Sequence, residues 1–309
     1  MYYQEGLTQE TIAKKLRTSR PAVSLLLAEA RKTGVVQIKI KDPEVNNEEL
    51  AGQFQKRFGL KKCLVIPCGI RQEDVVLKIV ASQAARFASR MMKSHTTVGT
   101  SWGGSCYEFM QAFPEDTELC NITVVPLGGS PLLTREFQLI ESVREFSEKL
   151  RGTPVVLYSP GFVDTIEDKK RYMGSLYMQS VLEKWRTLDF AVIGVGRPPE
   201  SYEAEPGRVT NLLEEINRYP DKAVSDLCAR RINIRGEFIR CNYNDKVIGI
   251  EERDLRSTNQ VLAVAVGSSK IFSIIGALNS GILDYFATDE ETARQVLNVL
   301  DSKVIKALQ

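Results

Sequence analysis

The sequence predicts an α/β protein in two parts, a small helical head at the N-terminus and a large domain with a doubly wound, mostly parallel sheet. The length of 309 residues suits two domains. Two short amphipathic helical patterns lie within residues 6–31, and β-branched runs alternate with helical stretches after residue 58. This alternation is typical of a parallel sheet covered by helices on both faces.

The distribution of charged residues also separates the N-terminal head from the large domain. Residues 1–41 carry eight basic and three acidic side chains, a net of +5, whereas the remaining residues carry 33 basic and 36 acidic ones, a net of −3. A module that neutralises the phosphates of a polyanion needs clustered cations of this kind. A solvated basic helix face is the alternative explanation.

The first helical pattern begins at Thr8, a hydroxyl residue of the kind that caps helices. Ile12, Ala13 and Leu16 then recur on one face, as in an amphipathic helix. The small Ala13 would allow a second helix to approach closely.

The second pattern follows after two or three residues around Arg17 and Thr18. Ser19 or Thr18 opens it, and Pro21 lies in the first turn, where its missing N–H costs nothing. Its apolar face contains Val23, Leu26 and Leu27. Two helices joined by such a short turn form a helix-turn-helix, whose second helix can enter a major groove.

The core and the exposed surface of this head follow from the same spacing. We expect a core of four apolar residues, Ile12, Leu16, Val23 and Leu26. Candidates for base-edge or phosphate contacts lie near the start of the second helix: Ser19, Arg20, Pro21 and Ser24. Candidates for backbone contacts lie at the first helix: Thr8, Gln9, Lys14 and Lys15. Alternating residues 36–41 after Gly34 predict a short strand, and therefore a winged DNA-binding head of residues 1–42.

An amphipathic connecting helix, Asn47 to Phe58, is predicted within residues 43–58, and residues 59–309 form the large domain. Apolar runs predict its strands at residues 63–67, 97–101, 122–127, 155–158, 190–195, 247–250, 261–266 and 285–288. Helical stretches are predicted at residues 73–92, 138–150, 169–185, 271–279 and 290–300. In such sheets ligands bind at the carboxyl ends of strands, where loops lead into helix starts.

Four loops carry the small residues that a ligand site needs: residues 100–105, 128–130, 194–197 and 266–270. The last places Lys270 beside Ser268 and Ser269 at a helix start, which suits a phosphate. In the first loop, Ser105 offers a hydroxyl group. Because a tight strand-to-helix turn needs glycine even without a ligand, that alternative stays open for each loop.

Composition disfavours several classes of protein. No apolar run approaches the length of a spanning helix and the start lacks a signal-peptide pattern, so we expect a cytoplasmic protein without membrane contact. The six cysteines form no CxxC pair, which favours buried structural thiols. We therefore predict no metal site and no cofactor.

An isomerase or deaminase on the same architecture is the alternative function. It would need a positioned acid–base pair, but the only histidine, His95, lies between a helix end and a strand. The spacing of the candidate carboxylates pairs none of them: Asp164, Asp189, Asp226 and Asp284. We therefore predict a binding protein without catalytic residues.

The string TQETIAKKLRTSRPAVSLLLAEARKTGVVQIKI, within residues 6–40, is similar to the head of the SorC family of sugar-responsive bacterial transcriptional regulators. This chain departs from the family pattern at Arg17 and Thr18, commonly Gly-Ile, and at Leu25, often an arginine. The missing arginine removes one cation that could meet a DNA phosphate.

Residues 50–305 resemble the same family in the segments VGTSWGGS, VVPLGGS, LYSP, DFAVIGVG, VIGI followed by DLR, and VAVGSSKIFSIIGAL with TDEETA. The resemblance implies an effector and oligomerisation domain with the fold of sugar-phosphate isomerases and coenzyme A transferases. It also implies a homo-oligomer, a dimer or a tetramer. Its binding to operator DNA would be modulated by a small sugar, in particular a sugar phosphate, in the control of carbohydrate metabolism.

The resemblance further implies that phosphate binds near residues 103–105 and Lys270, and that Asp226 binds sugar hydroxyls. Gln138 and Arg208 are further implied contacts. The predicted effector-binding residues are therefore Ser101, Gly103, Gly104, Ser105, Gly129, Gln138, Arg208, Asp226, Gly267, Ser268, Ser269 and Lys270.

Overall fold

The computed structural model divides into two compact units, residues 1–44 and residues 45–309. It describes residues 1–2, 7–32, 35, 46–115, 117–130, 139–198 and 221–301. The predicted wing strand at residues 36–41 and two predicted ligand contacts, Gln138 and Arg208, lie outside the described residues.

The described residues of the head contain two capped helices, α1 (Gln9–Lys15) and α2 (Arg20–Lys32). The Oγ1 of Thr8 accepts the N–H of Thr11 at 3.2 Å, and the Oγ of Ser19 accepts the N–H of Ala22 at 3.3 Å. The predicted cap Thr8 is confirmed, and of the two candidates for the second helix, Ser19 and Thr18, the structure selects Ser19. Each of the two caps satisfies a backbone donor that the helix itself leaves without a partner.

The turn between the helices contains a left-handed residue. Arg17 has φ +51°, a conformation that costs a non-glycine residue roughly 1–2 kcal/mol. The glycine that the resemblance implies at this position would adopt this conformation without that cost.

The core of the head is smaller than the spacing predicts. Ile12, Ala13 and Val23 are buried, with Leu7 and Leu27 packed against them. Leu16 and Leu26 are 51% and 60% exposed, so their predicted place in the core is wrong. Leu16 follows the last residue of α1, and α2 turns Val23 and Leu27, four residues apart, towards α1 instead.

The large unit is built on a parallel sheet of seven strands in the order β1-β9-β8-β5-β2-β3-β4. Its strands are β1 (Lys62–Ile66), β2 (Thr97–Thr100), β3 (Thr123–Pro126), β4 (Thr153–Pro154), β5 (Phe190–Gly194), β8 (Val261–Val264) and β9 (Tyr285–Asp289). A separate antiparallel hairpin contains β6 (Ser225–Leu227) and β7 (Arg230–Ile232). The sheet confirms the predicted α/β class.

Helices cover both faces of this sheet. They are α3 (Glu48–Phe58), α4 (Glu73–Met91), α5 (Gly104–Ala112), α6 (Leu139–Lys149), α7 (Ile166–Met173), α8 (Leu176–Arg186), α9 (Asn242–Asp245), α10 (Glu252–Arg256), α11 (Ile271–Asn279) and α12 (Glu290–Asp301). Neighbouring residues of β5 show the two faces, because Val192 belongs to one apolar core whereas Ala191 and Ile193 belong to the other.

Three predicted elements differ in the structure. Residues 155–158 and 247–250 are not strands, although both segments contain buried apolar residues. Residues 247–250 form hydrogen bonds with two other loop segments. Ile248 donates its N–H to the carbonyl of Gly161, and Ile250 donates its N–H to the carbonyl of Leu127. The helix predicted at residues 169–185 is two helices, separated at Gly174 and Ser175. An apolar run indicates burial, which irregular chain satisfies as well as a strand does.

The strand order creates a topological switch point between β2 and β5. From β2 the chain continues to β3 and β4 on one side, and β5 is followed in the sheet by β8 and β9 on the other. Ligands of open parallel sheets bind outside the carboxyl ends of the strands at such a point. The four predicted ligand loops follow β2, β3, β5 and β8, which are neighbours in the sheet, so all four lie along one edge.

Candidate functional site

The predicted DNA-contacting residues lie on the surface of the described part of the head. Gln9 is half-buried and the others are exposed: Thr8, Lys14, Lys15, Ser19, Arg20, Pro21 and Ser24. Lys14 forms an exposed ion pair with Glu10 at 3.2 Å, whereas Arg20 and Pro21 begin α2. The start of α2 therefore presents a cation and the hydroxyl groups of Ser19 and Ser24 to solvent.

The loop after β2 ends in a helix start with no side-chain cap. Gly103 precedes α5 with φ +117°, a conformation that favours glycine. The first-turn N–H groups of α5, beginning with Gly104 and Ser105, have no intrahelical acceptors. Such a helix start attracts an anion.

The side chain of Ser101, directly after β2, forms a hydrogen bond with the last residue of β5. Its Oγ accepts the N–H of Gly194 at 3.2 Å and lies 3.3 Å from the Sγ of Cys106. Burial raises the pKa of the Cys106 thiol to about 11, so this group is a neutral thiol near neutral pH. The structure therefore gives Ser101 a role in shaping the site.

The loop after β8 repeats the arrangement of a glycine before a helix start. Gly267 has φ +104° and donates its N–H to the Oγ1 of Thr292 at 2.8 Å. Ser268 and Ser269 are exposed and lie in a 3₁₀ turn, Ser268–Lys270, that leads into α11. Thr292 is held in turn by hydrogen bonds with Asp289, so the loop has a buried anchor.

Lys270 places a cation at this edge of the sheet. Burial lowers its pKa, the negative charge of Glu73 opposes that change, and the positive charge of Arg197 adds to it. Arg197 lies in the loop after β5, so cations from two neighbouring loops influence each other. Cationic groups beside a helix start provide charge-assisted donors for an anion.

Asp226 lies in the β6–β7 hairpin and faces the loop after β5. Its backbone N–H donates to the carbonyl of Gly196 at 3.0 Å, and a Cβ on Gly196 would lie 3.1 Å from its Cβ. Its Oδ1 accepts the N–H of Ala229 at 3.0 Å. The hairpin turn, Cys228 and Ala229, has φ values of +50° and +67°, a left-handed pair that Oδ1 helps to hold. The other carboxylate oxygen, Oδ2, accepts no hydrogen bond from the described residues.

Burial raises the pKa of Asp226 from 3.8 to about 6, and the Ala229 N–H and nearby arginines oppose the rise only in part. Because the folded pKa lies above the unfolded value, this group stabilises the fold most below about pH 4, and the contribution is lost as the pH rises through about 6.

We therefore expect Asp226→Asn to gain free energy of unfolding relative to the parent as the pH rises from about 4 to 7. Asparagine keeps an oxygen for the Ala229 N–H, so the turn is retained. Urea unfolding of both proteins across this range measures the difference. A difference that does not change with pH would contradict the raised pKa.

Gly129 has a structural reason to be glycine. A Cβ there would lie 2.2 Å from the carbonyl oxygen of Pro160, and the Gly129 N–H donates to Ile248 at 2.9 Å. The close approach of the Pro160 backbone therefore explains why residue 129 is glycine. The described contacts of Gly129 do not test its predicted role in ligand binding.

Two charged residues at the site escaped the sequence predictions, Glu73 and Arg197. Arg197 follows the glycines of a quoted loop, and a cation directly after such a turn was a usable signal. Glu73 begins α4, far along the chain from Gly267, and a Cβ on Gly267 would lie 2.5 Å from its carboxyl carbon. No local pattern indicates that contact.

Within the described residues, no cluster of three or more histidine, cysteine, aspartate or glutamate side chains could hold a metal ion. None of the described helices combines the length and apolar character needed to cross a membrane.

Comparisons with known proteins agree with this architecture. A family model described as "Putative sugar-binding domain" matches residues 42–298. The deoxyribonucleoside regulator of Bacillus subtilis is 29% identical over 302 residues, covering 97% of this chain and 96% of the relative. The sorbitol operon regulator of Klebsiella pneumoniae is 25% identical over 299 residues, covering 96% and 95%.

The fold is also similar to a solved structure over nearly its full length. The crystal structure of the full-length sorbitol operon regulator SorC from Klebsiella pneumoniae has a TM-score of 0.71 and 25% identity, with 96% of each chain covered. The family model spans well over half of the sequence. The protein therefore belongs to the SorC-type family of transcriptional regulators with a sugar-binding domain.

Proposed function

We propose that the head binds operator DNA through α2 and that the carboxyl edge of the sheet binds a small phosphorylated sugar, which changes the affinity for DNA. One observation carries the ligand half of this proposal. Two loops with a left-handed glycine before a helix start, residues 103–105 and 267–270, follow strands of the same sheet edge, and Lys270 belongs to one of them.

The head suits a polyanion by its charge and by its exposed surface. The net charge of +5 on residues 1–41 supports neutralisation of DNA phosphates. Arg20 and Ser24 are exposed on the early part of α2, the part of a second helix that reaches base edges in a helix-turn-helix. Lys14 and Lys15, on α1, are suited to backbone phosphates.

The sheet edge suits a ligand with both a phosphate and hydroxyl groups. The starts of α5 and α11, with Lys270, supply donors for the phosphate. The Oδ2 atom of Asp226 supplies an acceptor for a sugar hydroxyl. The relatives are named as regulators of a sorbitol operon and of deoxyribonucleosides, and those names support a ligand from carbohydrate metabolism.

Ligand control of DNA binding requires two arrangements of an oligomer. Two heads of a symmetric dimer must meet half-sites separated by one helical turn, roughly 34 Å, or a multiple of it. A ligand that favours one spacing of the heads changes DNA affinity by the coupling energy between the two sites. We propose a homo-oligomer, a dimer or a tetramer, acting in the cytoplasm.

An isomerase or deaminase activity is not favoured. Asp226, the one aspartate of the four candidates placed at this edge by the contacts above, uses one oxygen to hold the hairpin turn. His95, with φ +64°, precedes β2, at the end of that strand opposite the ligand loops. A positioned acid–base pair is therefore not formed by these residues.

The test uses the full chain and a duplex that the protein selects from a random-sequence pool. Fluorescence anisotropy measures its affinity with a panel of sugar phosphates, each paired with its unphosphorylated sugar. We expect a phosphorylated member to change the affinity about 5- to 150-fold, the usual range of coupling between sites. A panel without any such effect, or conversion of a sugar phosphate to product, would contradict the proposal.

A further inference from the structure

A carboxylate lies directly on the glycine that opens the loop after β8. A Cβ built on Gly267 would lie 2.5 Å from the Cδ of Glu73 and 2.6 Å from both of its carboxylate oxygens. The carboxyl group therefore fills the space from which a side chain at Gly267 would project. This space adjoins the turn that carries Ser268 and Ser269 into α11.

The carboxylate of Glu73 is attracted electrostatically by Lys270, but no residue that the structure describes holds it beside Gly267 by a hydrogen bond. Its negative charge raises the pKa of Lys270 against the effect of burial. In the described part of the chain, its carboxylate has neither a hydrogen bond nor an ion pair within 4 Å. The side chain is exposed and belongs to the first residue of α4, so it can rotate away without moving the helix.

An anion of the protein thus occupies a place that favours anions. The start of α11, Lys270 and Arg197 together attract negative charge, and Glu73 supplies it when no ligand is bound. A phosphate entering the same turn would meet the carboxylate at close range. Like charges a few ångströms apart repel strongly in a partly buried site, so both cannot remain.

We propose that Glu73 is a built-in competitor for the phosphate group, which occupies the turn at Gly267 in the ligand-free protein and leaves when a phosphate monoester binds. This inference rests on the proposed phosphate-binding function of that turn. It makes Glu73 a specificity-determining residue. A neutral sugar cannot replace the carboxylate beside Lys270, whereas a dianionic phosphate can.

Asp74 provides a matched control on the same helix turn. It carries the same charge one residue later. Its charge acts on Glu108 of α5, whose pKa is raised by burial, an effect that Lys78 opposes and Asp74 reinforces. Asp74→Asn and Glu73→Gln therefore remove equal charge from adjacent positions, but only Glu73→Gln removes the group that faces Gly267.

The test titrates inorganic phosphate into the full chain and both variants by calorimetry. We expect Glu73→Gln to bind phosphate about tenfold more tightly than the parent, and Asp74→Asn to stay within about twofold of it. Glu73→Ala repeats the measurement if the glutamine variant folds poorly. Weaker or unchanged binding in the Glu73 variants overturns the proposal, and so does equal tightening by Asp74→Asn.

Failure of this inference differs from failure of the proposed function. If sugar phosphates change the DNA affinity of the parent while Glu73→Gln behaves like Asp74→Asn, only the competitor role of Glu73 is wrong. If neither the parent nor Glu73→Gln binds phosphate and no sugar phosphate changes the DNA affinity, both proposals are overturned.

Discussion

Replacing Lys270 by alanine is expected to remove about half or more of the thermal stabilisation that a phosphorylated sugar gives the protein. A ligand at 100 times its dissociation constant stabilises the folded state by about 2.7 kcal/mol. Loss of a charge-assisted hydrogen bond costs about 1.5–3 kcal/mol, so the affinity should fall by roughly 10- to 150-fold. The same ligand concentration would then stabilise the variant by only about 0.3–1.4 kcal/mol, so the shift of the unfolding midpoint should fall to half of the parent's shift or less.

Lys56→Ala serves as the control for Lys270→Ala. Lys56 is an exposed lysine of α3, which is not one of the elements that lead out of the sheet edge. It should leave the ligand-induced shift unchanged. If Lys270→Ala retains the parent's full shift with the responsive sugar phosphate, Lys270 does not bind the phosphate.

Replacing Arg20 by alanine should weaken binding of the selected duplex by about 1–3 kcal/mol if the guanidinium reads a base. Arg20 begins α2 and is exposed, so its removal takes nothing from the core of the head. A base contact and a phosphate contact give different signatures. Loss of a base contact relaxes sequence preference at one position, whereas loss of a phosphate contact weakens all duplexes and lowers the salt slope by about one.

Arg186→Ala is the matched control for Arg20→Ala. Arg186 is an exposed arginine at the end of α8 in the large unit, so the variant loses the same charge from outside the head. DNA affinity should stay at the parent level in this variant. Equal affinity of Arg20→Ala and the parent would remove Arg20 from the DNA-contacting set.

Local signals in the sequence predicted much of the fold. The capping residues Thr8, Ser19 and Asn47 mark helix starts because each side chain accepts a backbone N–H near the first turn. The β-branched runs at β5 and β8 mark buried central strands because both faces of those strands are covered. Such features depend on neighbours within a few residues.

Features that depend on distant contacts were not predictable in the same way. Residues 247–250 are apolar because they are buried, yet Ile248 and Ile250 donate their N–H groups to Gly161 and Leu127, which lie outside the strands of the sheet. Leu26 has the spacing of a core residue, but the small contact between α1 and α2 selects Leu27. Asp226 offers a carboxylate in the sequence, while its hold on the turn at Ala229 becomes evident only in the hairpin.

The candidate site likewise combines features that local sequence predicts with features that depend on distant contacts. The glycines at 103 and 267 mark strand-to-helix turns in the sequence, and the structure assigns both of them left-handed conformations. That four such loops share one edge follows from the strand order. The contact between Glu73 and Gly267 joins segments that are remote along the chain, so no spacing rule identifies it.

The central claim is that DNA binding resides in the cationic head and that the large unit only modulates it. The most direct test compares the full chain with residues 45–309, which form a compact unit of their own, in binding to the selected duplex over a series of salt concentrations. We predict that the full chain binds with an affinity that falls steeply as salt increases, and that the shorter chain shows no such binding. Equal, salt-dependent affinity of the two chains would contradict the account.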